Sequence, residues 1–166
     1  MLVGEQPGND EDLAGHPFVG PAGTLLDAAL GEAGLSREEV YVTNAVKHFK
    51  FVTRGKRRLH ERPKASEVEA CRPWLGEELR LVQPRIVVAL GATATSVLFS
   101  ADRRVTRDRG RLLPLAFGIA HQPKLRGLLT IHPAAALRGP SSARRKELRA
   151  MLVDDLRLAR ERAGEL

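Results

Sequence analysis

The stretch GKRRLHERP, residues 55 to 63, sets one imidazole, His60, among four cations: Lys56, Arg57, Arg58 and Arg62. A neutral imidazole is a nucleophile. Cations beside it disfavour protonation, while phosphate gathered by those cations pushes the other way. No apolar period runs through the stretch, so core packing does not account for the ring. A second histidine, His132, opens HPAAALRGP. Alone it reads as a satisfied surface side chain; beside other reactive residues it is a candidate for proton chemistry.

Several further residues carry two readings each. In GEQPG, residues 4 to 8, a carboxylate and an amide sit in what glycine and proline also make an ordinary tight turn. The acids that follow, Asp10, Glu11 and Asp12, do not suit a phosphate cradle. Phe18, between glycines and prolines in HPFVGPAG, is either a stacking surface or core filler. Asn44 offers a donor and an acceptor that match a base edge, or it caps a turn. His48 and Cys71 are metal-ligand types, but two donors cannot enclose a metal, and a cysteine on a helical pattern is usually a small apolar core residue. His16 and His121 fall in loops without convergent partners and receive no role.

The elements that must position these groups are legible as alternating short apolar runs and helical periods. Buried parallel strands are predicted at Met1 to Val3, Val40 to Thr43, Arg85 to Leu90 and Leu128 to Ile131. Helices are predicted over Ala22 to Ala33, from a capping box at Ser66 and Glu69 to Val82, over Ala92 to Phe99, and from Ser141 or Ser142 to Ala163. Pro73 inside the second predicts a kink or a late start. The expected fold is α/β: a three-layer α/β/α sandwich around a central, mainly parallel four-stranded sheet. Ligands gather at the carboxyl ends of such strands, where GEQPG, TNAVKH and HPAAALRGP lie.

The chain has 166 residues, which suits one domain, residues 1–166. Lysine and arginine number 27 against 20 acidic residues, a net charge of +7 that makes a polyanion the first partner to consider. No run approaches the roughly 18 apolar residues of a membrane span, so no membrane partner is expected. The lone Cys71 forms no internal disulfide, which suits a reducing cytoplasm, the expected location. A monomer is the default expectation. MLVGEQPG reads as the second half of a buried strand, so a segment is expected upstream of it.

Taken in order, GEQPG with Glu11 and Asp12 after it, PFVGPAG, YVTNAVK, EACRPWL, LGATA and HPAAALRGP resemble the uracil-DNA glycosylase superfamily, in particular its iron-sulfur family-four branch. KHFKF followed by GKRRLHERP resembles the UdgX subgroup, whose members bind uracil in DNA and become covalently joined to it through a loop histidine. On this resemblance His60 is that histidine. The resemblance further implies that Phe18 stacks on uracil, that Asn44 pairs with its O4 and N3 edge, that Gln6 closes the site, and that His132 donates to the uracil oxygen as the glycosidic bond breaks. Glu5 is expected to accept from His60 or to steady the sugar cation.

Lys56, Arg57, Arg58 and Arg138 are expected to meet phosphate and Leu137 to wedge into the base stack, with uracil-containing single-stranded DNA as the partner. The resemblance also implies a 4Fe-4S cluster, with His48 and Cys71 at two ligand positions. The other two belong to a CxxC pair before the first strand, which the sequence begins too late to include. The chemistry implied is cleavage of the N-glycosidic bond followed by capture of the deoxyribose C1′ on His60. An ordinary turning-over glycosylase and a non-catalytic DNA-binding module are the alternatives.

Overall fold

A computed structural model describes residues 1–117 and 124–165 of the chain; His121 lies outside the described residues. The sheet has the order β2-β1-β5-β7-β6. Its strands are β1 (Leu2–Gly4), β2 (Val42–Asn44), β5 (Ile86–Leu90), β6 (Leu113–Pro114) and β7 (Arg126–Thr130). The first four in sheet order run parallel, as the predicted strands require. A fifth, two-residue strand, β6, adds an antiparallel edge beside β7. So short a strand has no period to read.

Side chains of β5 alternate between two cores. Ile86, Val88 and Leu90 pack on one face with Leu26, Leu30, Leu152 and Leu156; Val87 and Ala89 pack on the other with Leu75, Leu79, Val97 and Leu98. This follows from the two-residue period of a strand covered on both faces. The helices supplying the first face are α2 (Pro21–Ala33) and α7 (Ser142–Glu165), and those of the second are α3 (Ala65–Val82) and α4 (Ala92–Leu98). Burial of each leucine contributes on the order of 2 kcal/mol, so this layering dominates the choice of fold.

Two helix details differ from expectation. α3 begins at Ala65, and the carboxylate that caps it is Glu67, which accepts from the Lys64 N–H at 2.6 Å. The Ser66 and Glu69 pair lies two residues too late to serve. The helix then continues through Pro73, so the late start does not occur. Short helices α1 (Asn9–Ala14), α5 (Val105–Asp108) and α6 (Pro133–Leu137) complete the set.

The His60 segment is not an irregular loop. β3 (Phe51–Arg54) and β4 (Arg57–His60) form an antiparallel hairpin with Phe51 opposite His60 and Arg54 opposite Arg57. Gly55 turns the chain at φ +60°, the left-handed conformation that a two-residue hairpin loop asks of its first residue. The ladder is almost wholly exposed, so the pattern lacked the buried face that announces a strand.

Candidate active site

The carboxyl ends of β1, β2, β5 and β7 converge on a cavity of about 290 Å³ lined by Glu5, Phe18, Asn44, His60, Thr93, His132 and Arg138, among others. Glu5 follows β1, Asn44 ends β2, Thr93 follows β5 and His132 follows β7. Parallel registry of Gly4 with Asn44 and of Leu2 with Val88 brings these four exits level with one another.

One wall sets an aromatic ring beside a buried amide, Phe18 beside Asn44. Phe18 is buried yet holds φ +56°, a conformation that costs a residue with a Cβ about 1 kcal/mol or more. The glycines around it explain how it is kept. A Cβ on Gly23 would fall 1.9 Å from the Phe18 carbonyl oxygen, and one on Gly4 would fall 2.7 Å from the ring and 2.4 Å from Asn44 Oδ1. Gly4 and Gly23 therefore admit the ring and the amide to the same corner. Asn44 is buried, and its Oδ1 has no hydrogen-bond partner among the described residues. A buried acceptor without a donor is costly unless a ligand supplies one. Behind it, Lys47 Nζ donates to the Asn44 carbonyl at 2.7 Å and to Glu78 at 2.6 Å, holding the end of β2 in place.

A second wall is formed by His132. His132 caps α6, and its Nδ1 accepts from the Ala134 N–H at 3.1 Å. Nδ1 is therefore unprotonated, and the neutral ring must carry its hydrogen on Nε2. Burial pushes the His132 pKa down to about 4, outweighing the opposing pull of Glu5; Arg138 and His60 add to the lowering. The ring is neutral at pH 7 and is a hydrogen-bond donor. Its centroid lies 5.7 Å from that of Phe18. Gly91, at φ +90°, allows this approach, since a Cβ there would stand 2.9 Å from His132 Cβ.

Opposite lies His60, with Nε2 3.3 Å from Glu5 Oε1; its side chain is 48% exposed and that of Glu5 24%. The other oxygen of Glu5 accepts a short hydrogen bond from Thr93 Oγ1. Gln6 lines the cavity, but its amide is engaged elsewhere. Nε2 donates to the carbonyls of Lys50 at 3.2 Å and Glu61 at 3.1 Å, and Oε1 accepts from the Lys50 N–H. These residues flank the hairpin, so Gln6 ties its two ends together beside the cavity.

Arg58 turns inward. Its guanidinium donates to Asn9 Oδ1 at 2.9 Å and to Asp12 Oδ2 at 2.6 Å, and it stacks over Phe49 and Phe51. The charge grouped with Lys56 and Arg57 in the sequence thus fastens the hairpin to α1, whereas Lys56 and Arg57 remain exposed near the turn. Leu137 and Arg138 are exposed at the end of α6, with Arg138 on the cavity rim. Glu11 is a clip that pattern reading missed: its carboxylate accepts from the N–H groups of Gly8, Val19 and Gly20, fixing the loop that carries Phe18. Only the offset of a glutamate three residues after Gly8 hinted at it.

His48 and Cys71 lie together, with Sγ 3.7 Å from Nε2. The thiol also accepts from the Lys47 N–H at 3.4 Å. Among the described residues no group of three or more His, Cys, Asp or Glu is arranged to hold a metal ion. The pair fits half of a four-ligand site and does not by itself enclose a cluster. No helix of the described residues is long and apolar enough to cross a membrane.

Residues 1–157 match the family model of the Uracil DNA glycosylase superfamily. A Type-4 uracil-DNA glycosylase of Pyrobaculum aerophilum is 38% identical over 146 residues, covering 85% of this chain and 69% of the relative. One from Sulfurisphaera tokodaii is 35% identical over 168 residues, covering 98% and 69%. One from Thermotoga maritima is 35% identical over 161 residues, covering 96% and 75%.

Proposed function

The chain belongs to the uracil-DNA glycosylase superfamily, and from that membership we propose that it excises uracil from DNA and is then captured on the deoxyribose through His60. The observation that carries the capture reading is the placement of His60 in the wall of the cavity, against Glu5 and across from the neutral His132.

A base within a duplex is out of reach, so the nucleotide must be extruded or presented single-stranded. Lys56, Arg57 and Arg138 meet the backbone, with Leu137 as the wedge. Uracil then lies against Phe18, and its N3–H supplies the donor that Asn44 Oδ1 lacks. When the C1′–N1 bond breaks, its electron pair leaves with uracil. The Nε2–H of His132 donates to the uracil oxygen on which that charge collects, in a site depleted of water where such a bond is strong.

The sugar is left with oxocarbenium character beside Glu5. The lone pair of an unprotonated ring nitrogen of His60 forms the bond to C1′. The ring becomes cationic, and Glu5 balances that charge until the ring gives up its N–H proton. A 4Fe-4S cluster would need two ligands beyond His48 and Cys71 and takes no part in these steps.

The test is incubation with uracil-containing single-stranded DNA, followed by boiling in detergent and electrophoresis. The wild type forms a stable protein-DNA adduct, and His60→Ala forms none. Repeated release of free uracil without an adduct would overturn capture and leave an ordinary glycosylase, the reading favoured by the Type-4 names of the relatives.

A further inference from the structure

The motif LGATA, residues 90 to 94, has no part in the steps above, yet it holds the group nearest to Glu5. We propose that Thr93 is a positioning residue: its hydroxyl fixes the Glu5 carboxylate so that one oxygen faces His60 and the sugar carbon. This rests on the reading of Glu5 as the carboxylate beside the reacting sugar.

The argument starts from the two threonines of α4. Thr95 Oγ1 bonds back to the carbonyl of Gly91 at 2.8 Å, the ordinary behaviour of a threonine inside a helix. Thr93, also buried, instead sends its hydroxyl across the sheet to Glu5 Oε2, 88 residues away in sequence. An ionised carboxylate only accepts, so Thr93 is the donor. A β-branched side chain in a helix has few rotamers open to it, so the hydroxyl is held where it points.

The backbone below it is anchored as well. The Gly91 N–H donates to the Thr130 carbonyl at 2.9 Å, and the Val46 N–H donates to the Glu5 carbonyl at 2.9 Å. Both ends of the Thr93–Glu5 bond are therefore tied to neighbouring backbone, one to β7 and one just past the end of β2. With Oε2 held, rotation of the carboxylate is stopped, and Oε1 is the oxygen left for His60, at 3.3 Å. Without the hydroxyl, Oε2 loses its donor and the carboxylate is free to turn from the reacting carbon.

The experiment measures single-turnover uracil release and adduct formation in parallel, with binding of uracil-containing single-stranded DNA measured separately. Thr93→Val keeps the shape and removes the donor; Thr93→Ser restores it. Thr93→Val is expected to slow the chemical step roughly ten- to a hundredfold with DNA affinity unchanged, and Thr93→Ser to recover most of that loss. In a Glu5→Gln background Thr93→Val adds no further loss.

Equal defects in the valine and serine variants, or losses that multiply in the double variant, would overturn the proposal by marking a merely structural threonine. An unchanged valine variant would overturn it outright. If the wild type releases uracil without forming an adduct, capture by His60 falls, and the role of Thr93 is judged on uracil release alone.

Discussion

The recognition corner and the His60 hairpin face the same cavity but are built in opposite ways. Phe18, Asn44 and the glycines around them grow out of the sheet, buried and locked by the strand ends. His60 rides on a two-stranded ladder with nearly every side chain exposed. That ladder is held by Gln6 at its ends, by Arg58 through Asn9 and Asp12, and by aromatic contacts of Phe49 with Phe51 and His60. On the proposed function the difference separates two tasks. A pocket that selects one base needs atoms fixed to fractions of an ångström, which the core supplies. A side chain proposed to react once the base has gone can sit on an exposed appendage.

The sharpest test of that division is His60→Ala, which should abolish the adduct while leaving thermal stability within about 0.5 kcal/mol of the wild type, as for other exposed substitutions. A large fall in melting temperature would mean that the hairpin is part of the core after all. Next in size, Asn44→Ala should slow uracil release by roughly ten- to a hundredfold, the loss expected when a hydrogen-bonded polar group is removed from a buried site. Kinetics on uracil-containing oligonucleotides with a cytosine control would detect it.

The second wall offers a test by pH. The folded pKa of His132 lies near 4, below the ordinary 6.5, so the unfolded chain takes up a proton first as the medium acidifies. The stability contributed by the neutral ring is complete above about pH 6.5 and is lost as pH falls toward 4. Urea melts of the wild type and of His132→Gln, which cannot titrate there, should therefore converge or cross on acidification, by at most about 3 kcal/mol. A constant difference between the two proteins across that window would contradict a half-buried, neutral His132. The smallest effect is expected from Arg58→Ala, which detaches a partly exposed ion pair. Adduct formation should slow by about two- to fivefold with uracil release nearly unchanged, because such pairs contribute at most about 1 kcal/mol.

The sheet was legible because each parallel strand has buried apolar residues at its centre, most clearly Ile86 to Leu90, and α2 and α7 because their leucines recur at helical spacing. The hairpin was not, since β3 and β4 bury neither face and leave no two-residue pattern. Arg58 shows the limit at the level of one side chain. In sequence it is one of four cations around His60, and only the fold reveals Asp12 waiting for it. Gln6 is a similar case, drawn into the hairpin's ends by the carbonyls of Lys50 and Glu61.

Composition and order of motifs by themselves determined an α/β fold with Glu5, Asn44 and His132 at strand exits, because apolar period and turn chemistry are local properties of the chain. The protonation state of His132 and the hydrogen bond from Thr93 to Glu5 were decided by tertiary structure alone. Burial and hydrogen-bond partnership depend on which distant segments the strand registers bring level, and no local pattern encodes that.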